Sequence, residues 1–281
     1  MNTGLVLEFT KMHGAGNDFI IVDNRFFRFS ESELSDIAVK YCPRRFGIGA
    51  DGLVALDVPE SSDLDYRMRY TNADGTAGEM CGNGARCLAA FAREGGILSQ
   101  PLRFETNAGV YRAYVESDDT TVVRLILPPT GNVSTDFARI DVGKGVQLDL
   151  AFLVSGVPHA VWFGNNLDDV PVGSWGSAVR RHTCFDATSG TNVDFVQIVE
   201  SEDEVVLRMR TYERGVEAET FACGTGAVSA FVVGNESGRI EKREATIRMS
   251  GGDVRVGYVD GTDELFLEGP VANIFRGTVV L

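Results

Sequence analysis

The sequence predicts an α+β protein built as two pseudo-symmetric halves, each a strongly curved, mostly antiparallel sheet or barrel around a central helix. Three observations carry this: an internal repeat, short alternating strands in each half, and one glycine-started helix per half. The repeat is read first, because it fixes the architecture before any element is assigned. Cys-Gly-X-Gly-Ala is written twice, in "MCGNGARC" (80–87) and "ACGTGAV" (222–228), so Cys81 and Cys223 stand 142 positions apart. At the same offset, "KMHGAGNDFIIVDN" (11–24) is matched by "LVSGVPHAVWFGNN" (153–166), which aligns Asn17 with His159. A third pair, "YRMRYTN" (66–72) and "LRMRTYER" (207–214), precedes the two tetrads and aligns Asn72 with Arg214 to within one residue. Three blocks in one order indicate a duplicated fold, with a boundary near the Pro-Pro-Thr-Gly turn at 128–131.

Within each half, alternation in "VYRAYVE", "VVRLILP", "VVLRMRTY" and "VRVGYV" predicts short strands between Asn, Asp, Gly and Pro clusters. Two segments break the pattern. "ARCLAAFARE" after Gly84 and "AVSAFVV" after Gly226 read as helices, stopped by Gly95-Gly96 and by Gly234-Asn235. The second is apolar on every side, as a helix wrapped by a curled sheet must be.

At 281 residues the chain is long enough for two ordinary domains, and 44% hydrophobic with 23% charged residues is a globular composition. The net charge of −14 repels phosphate backbones and anionic lipid, and no Lys/Arg block offsets it locally, so neither nucleic acid nor membrane is expected as a partner. The N-terminal stretch has an acid inside its only apolar run and no small-residue cleavage site, which leaves the cytoplasm as the expected location. Five cysteines at 42, 81, 87, 184 and 223 lack the spacing of a disulfide framework or a zinc site, so no metal is expected. Cys42, Cys87 and Cys184 read as small buried hydrophobes.

The chemistry gathers at the tetrads. Each cysteine sits just ahead of a helix, where free backbone N–H groups and partial positive charge lower the pKa of a thiol and attract a carboxylate. Two such sulfurs flanking one anion site could remove a proton from one face of an α-carbon and return one to the other.

At these residues the chain resembles the diaminopimelate epimerase family. "KMHGAGNDF", "TNADGT", "MCGNGARC", "GVPHAV", "TNVDFV", "YERG" and "ACGTGA" are similar to that family's ordered motifs, from residue 11 to about residue 227, with a similar "LEGPVANIF" near the C-terminus. The resemblance implies a pyridoxal-independent isomerase, free of cofactors, that interconverts LL- and meso-2,6-diaminopimelate for lysine and peptidoglycan precursor synthesis. It also implies a homodimer, and halves of residues 1–127 and 128–270 with 271–281 returning to the first. By the same resemblance Cys81 and Cys223 are the acid/base pair, and His159 and Glu213 poise their sulfurs. The backbone of Gly82, Asn83, Gly224 and Thr225 holds the reacting carboxylate, while Asn17, Asn72, Asn192, Glu213 and Arg214 bind substrate, Arg214 as a two-pronged clamp on the distal carboxylate.

Val157 and Gly52 depart from the commoner pattern, where a substrate-facing Asn and, in some members, a Gln are found. Both changes touch substrate selection and neither touches proton transfer. Two rival readings follow: a cofactor-independent racemase of another amino acid on the same scaffold, or a thiol redox switch or binding protein. The basic distal clamp argues against the first, since an amino acid such as proline has no second carboxylate for Arg214 to hold, and two glycine-rich anion sites, which a switch does not need, argue against the second.

Overall fold

The computed structural model describes residues 4–116, 122–200 and 204–281. The chain first reverses at Ala15-Gly16, with φ of 52° and 81°, a pair of positive values whose twist matches that of the strands it joins. The turn connects β1 (Val6–Gly14) to β2 (Asn17–Asp23) as an antiparallel pair. Helices α1 (Asn24–Phe27) and α2 (Glu31–Tyr41) follow. The second opens on a reciprocal cap, in which Ser30 Oγ accepts from the Glu33 N–H and the Glu33 carboxylate accepts from the Ser30 N–H. These helices return the chain so that β3 (Gly52–Asp57) lies parallel to β2; a parallel pair cannot be joined by a tight turn. Next come β4 (Tyr66–Asn72), antiparallel to β3, and the two-residue β5 (Ala77–Gly78) folded back on it. Helix α3 (Gly82–Glu94) then crosses to β6 (Leu102–Thr106), parallel to β4, followed by β7 (Gly109–Val115) and β8 (Val122–Leu127) as an antiparallel meander.

The chain then repeats this plan. After β9 (Ser134–Asp141) come β10 (Gln147–Ser155) and β11 (Val157–Phe163), antiparallel neighbours. Helix α4 (Val172–Arg180) and a 3-10 turn at Thr183–Thr188 lead to β12 (Asn192–Glu200), parallel to β11. Antiparallel β13 (Val205–Glu213) and short β14 (Ala218–Thr220) precede α5 (Gly224–Glu236), which crosses to β15 (Glu244–Met249), parallel to β13, and β16 (Gly252–Tyr258) pairs with β15. The alternation of antiparallel and parallel pairs is therefore the same in both halves, as the internal repeat predicts.

The last strand, β17 (Leu265–Val280), pairs with β1 from Val6↔Val280 to Gly14↔Val271 and also with β8. Strands β1, β2, β3, β4, β6, β7, β8 and β17 thereby close into a ring of eight. Contacts divide the chain into one unit running to Ile126 and taking back Glu268–Leu281, and a second of Leu127–Leu267.

Each unit holds one helix at its centre. Helix α3 packs on β1, β2, β3, β4 and β7, and α5 on β10, β11, β12, β13, β15 and β16. The helices meet strands on several sides, so residues around them are buried: Ala85, Ala89, Ala90 and Ala92 in α3, and every residue of α5 from Gly226 to Gly234. Burying Val228, Phe231, Val232 and Val233 stabilises the second unit by roughly 1.5–3 kcal/mol each.

Two expectations are corrected. Helix α5 does not stop at Gly234-Asn235 but runs to Glu236, with Ser237 as its cap and Gly238 at φ 69° beyond it. Gly234 is instead a packing residue, since a Cβ there would strike Ile240 Cδ1. Cys42 and Cys87 are buried as expected, but Cys184 is exposed beside His182, on the turn that follows α4. Among the described residues no helix is long and apolar enough to cross a membrane.

Helix α4 offers an internal test of close packing. A Cβ on Gly176 would collide with Tyr212 Cβ and come within 2.5 Å of its Cγ, whereas one on Gly173 would meet nothing within 4 Å. Gly176→Ala should lower stability in urea unfolding by about 1–3 kcal/mol, despite the roughly 1 kcal/mol gain that alanine ordinarily brings to a helix. Gly173→Ala should be neutral or slightly stabilising in the same measurement.

Candidate active site

The tetrads fold as the sequence predicts. Cys81 and Cys223 each take the position just before the first helical residue, with extended backbones at φ −131° and −128°. The first backbone hydrogen bonds of the helices close on their carbonyls, from Ala85 N–H (2.8 Å) and Ala227 N–H (2.9 Å). Gly82, Asn83, Gly224 and Thr225 therefore supply the helix-start N–H groups, which have no partner inside their helices.

In the first unit, α3 begins against the β1–β2 hairpin. Cys81 Sγ lies 3.7 Å from Asn17 Oδ1, which also accepts from Asn83 Nδ2 at 3.2 Å. Asn17 Nδ2 donates to Asp51 Oδ2 at 2.7 Å, and Asn83 Oδ1 accepts from Arg86 Nη2 at 3.1 Å. The amides are thus ordered from a guanidinium, which can only donate, to a carboxylate, which accepts. Arg86 is fully buried, and its Nε and Nη1 have no hydrogen-bond acceptor among the described residues. Asp51 is tied to Arg44, which also holds Asp18 together with the buried Lys11. Burial alone would raise the Asp18 carboxyl, but hydrogen bonds from Arg44 and Lys11 hold it down at about 2.

Asn72 stands apart from this group. Its Nδ2 donates to Thr76 Oγ1 (3.0 Å) and to the Thr76 carbonyl, closing the β4–β5 turn. Gly52 is its partner across the β3–β4 ladder. A Cβ on Gly52 would come within 2.6 Å of the Tyr70 ring, so Tyr70 occupies the space a longer side chain at 52 would need.

The second unit is built around His159, which is completely buried with Asp194. His159 Nδ1 is 2.7 Å from Asp194 Oδ2, and Nε2 is 2.9 Å from Thr225 Oγ1. Thr225 Oγ1 is in turn 3.5 Å from Cys223 Sγ. Asp194 Oδ1 accepts from Thr211 Oγ1 at 2.7 Å. The parallel register sets His159 beside Asn192, whose Nδ2 is 3.4 Å from His159 Nε2 and whose Oδ1 accepts from the Arg214 N–H at 2.7 Å. Arg214 Nη1 donates to the Thr188 carbonyl at 2.7 Å. Glu213 ends β13, and its charge acts on Cys223.

The expected lowering of both thiol pKa values fails for Cys223. Burial pushes this thiol well above its ordinary value, and the nearby Glu213 and Asp194 carboxylates push it further. The Thr225 hydroxyl and the Gly226 N–H act in the opposite direction without offsetting them. Desolvation in a closed core outweighs the helix terminus, and Cys223 is a thiol at neutral pH.

Of the residues singled out in the sequence, Cys81, Gly82, Asn83 and Asn17 converge at the start of α3. Cys223, Gly224, Thr225, His159, Asn192, Glu213 and Arg214 converge at the start of α5. Asp194, the Thr225 hydroxyl, Asp51 and Arg86 were missed. Asp194 left a trace, as an acid set between Val193 and Phe195 in a strand that also carries Val196, Ile198 and Val199; the others look like ordinary polar residues.

The protonated state of Cys223 is directly testable. Its alkylation by iodoacetamide should be slow near neutral pH, with a midpoint above the ordinary thiol value of about 8.5. Glu213→Gln removes a neighbouring negative charge and should lower that midpoint and speed the reaction, measured by mass spectrometry of the Cys223 peptide.

The sequence pattern of the family described as "Diaminopimelate epimerase" matches residues 9–133 and 152–274. A diaminopimelate epimerase of Aquifex aeolicus is 37% identical over 278 residues, covering 96% of this chain and 97% of that one. One from Chlorobaculum tepidum is 40% identical over 277 residues, covering 96% and 100%. Among solved structures, a phenazine biosynthesis protein of the PhzF family from Bacillus anthracis superposes with a TM-score of 0.76 at 16% identity, covering 99% of this chain and 100% of that one. A hydroxyproline epimerase from Agrobacterium vitis, with bound trans-4-hydroxy-L-proline, gives 0.67 at 18% identity, covering 98% and 93%. At such identities the structures show a shared fold.

Proposed function

The chain belongs to the diaminopimelate epimerase family, and on that premise we propose how its two half-sites divide the chemistry. It is an isomerase that interconverts LL- and meso-2,6-diaminopimelate in lysine biosynthesis. In the proposed two-base scheme Cys81 and Cys223 act on opposite faces of one α-carbon. Cys81, as thiolate, takes the α-proton, and the electron pair of the broken C–H bond moves toward the α-carboxylate. The S–H bond of Cys223 then breaks and delivers its proton to the carbon, so that Cys223 leaves the turnover as thiolate and Cys81 as thiol. In the reverse direction the roles exchange. The observation that supports this division most directly is the placement of two cysteines at helix starts, with Cys223 buried under the influence of the Glu213 and Asp194 carboxylates, which disfavour its thiolate.

The helix-start N–H groups of Gly82, Asn83, Gly224 and Thr225 are proposed to hold the reacting carboxylate, where they stabilise charge as it develops. The distal ammonium and carboxylate of diaminopimelate would cost several kcal/mol to desolvate without partners. Asn17, Asn72, Asn192, Glu213 and Arg214 are proposed to supply those partners. Peptidoglycan precursor synthesis, a cytoplasmic location and a homodimer complete the reading; light scattering should then give twice the 30.4 kDa of one chain.

Deuterium wash-in at the α-carbon of LL-diaminopimelate, run in heavy water, tests the function. The parent protein should exchange and epimerise the substrate, and Cys81→Ala and Cys223→Ala should each abolish epimerisation while leaving the fold intact by circular dichroism. Near-parental turnover in either variant would refute the two-base scheme. Arg214→Met should remove most activity on LL-diaminopimelate. Exchange of a monocarboxylate amino acid instead, with Arg214→Met harmless, would give the racemase reading its place.

A further inference from the structure

The buried carboxylate of Asp194 has no part in the scheme above, yet its surroundings fix what it does. The Arg214 backbone N–H can only donate, and it donates to Asn192 Oδ1. The other end of that amide, Nδ2, is therefore a donor too, and it faces His159 Nε2 at 3.4 Å. A donor aimed at Nε2 requires Nε2 to carry a lone pair, which puts the proton of the neutral ring on Nδ1. Nδ1 meets Asp194 Oδ2 at 2.7 Å, an acceptor where a donor is needed. The two sides of the ring give the same tautomer independently.

The rest of the chain of bonds then follows. Nε2 accepts from the Thr225 hydroxyl at 2.9 Å, which leaves the Thr225 oxygen to accept from the Cys223 S–H at 3.5 Å. From these bonds we infer that Asp194 is the positioning residue of this half-site, holding His159 as the Nδ1–H tautomer so that Nε2 can receive, through Thr225, the proton of Cys223.

In that transfer the Cys223 S–H bond breaks and the sulfur keeps the electron pair. The proton goes to Thr225 Oγ1 as the Thr225 hydroxyl proton moves to His159 Nε2, which leaves an imidazolium beside the Asp194 carboxylate. The reverse transfer restores the thiol. The backbone is shaped for this contact. Gly226, the third member of the second tetrad, leaves room for Asp194, because a Cβ there would lie 2.5 Å from Asp194 Oδ1. Thr211 anchors the same oxygen, so the carboxylate has one orientation. A carboxylate behind an imidazole, setting which nitrogen faces the reacting group, is a recurrent device in acid/base and nucleophilic sites.

This inference rests on the proposed function, but its first test does not. The chain has three histidines, so long-range proton–nitrogen spectra of the 15N-labelled full-length protein can be assigned by substitution of His13 and His182. His159 should show a protonated Nδ1 and an unprotonated Nε2. The opposite tautomer would overturn the inference, whatever the substrate proves to be.

Two variants test the consequence. Asp194→Asn should shift His159 toward the Nε2–H form and lower kcat for α-proton exchange on the order of 100-fold, within the range for acid/base groups, with KM changed by less than about threefold. Thr225→Val keeps the shape but removes the bridging hydroxyl; it should leave the Nδ1–H tautomer in place and lower kcat similarly. Unchanged kcat in a folded Thr225→Val protein would exclude the relay. A folded Asp194→Asn protein with both parental tautomer and parental kcat would exclude the role of Asp194. If the parent protein fails to exchange diaminopimelate while showing the Nδ1–H tautomer, the function fails and the assignment of the positioning residue stands.

Discussion

The start of a helix buried inside a wall of strands is the constraint on which the rest of this molecule depends. A surface helix leaves its first N–H groups to water. Here those groups belong to α3 and α5, which are buried along most of their length, so their N-termini are among the few places where the core offers donors to a bound anion. Placing Cys81 and Cys223 at these points puts each sulfur next to such donors. The requirement for small residues follows from the same packing. Gly84 faces Val54, Met68 and Phe19, and Gly226 faces Asp194.

The two half-sites share this frame and differ in what surrounds it. At Cys81 the neighbours are amides, ordered between the buried Arg86 and the Arg44–Asp51 pair. At Cys223 they are acids and an imidazole: Glu213, Asp194 and His159. Positions related by the repeat carry this contrast, Asn17 against His159 and Asn83 against Thr225. A duplicated backbone has thus been given two electrostatic environments. A two-base reaction needs that inequality, because it begins with one sulfur protonated and the other not.

Much of the architecture is legible in the sequence because it is encoded locally. The repeated blocks, the cysteine at each helix start and the glycine stop of α3 at Gly95-Gly96 all depend on short-range backbone preferences. The same local rule misplaces the end of α5, where the contact of Gly234 with Ile240 is tertiary. It also misreads Cys184, whose burial no neighbouring residue decides.

By itself, then, the sequence determined a duplicated α+β fold, the two cysteines and the residues grouped around them, since periodicity, turn chemistry and ordered motifs are properties of adjacent positions. Only the tertiary structure decided the closure of the first ring, where β17 pairs Val6 with Val280. It alone brought Asp194 on β12 against His159 on β11 and Thr225 on α5. It also reversed the expected ionisation of Cys223, because the helix terminus is a local effect whereas desolvation and the charges of Glu213 and Asp194 come from packing. Which nitrogen of His159 carries a proton, and which state of Cys223 prevails, depend on groups distant in sequence whose distances only the folded chain fixes.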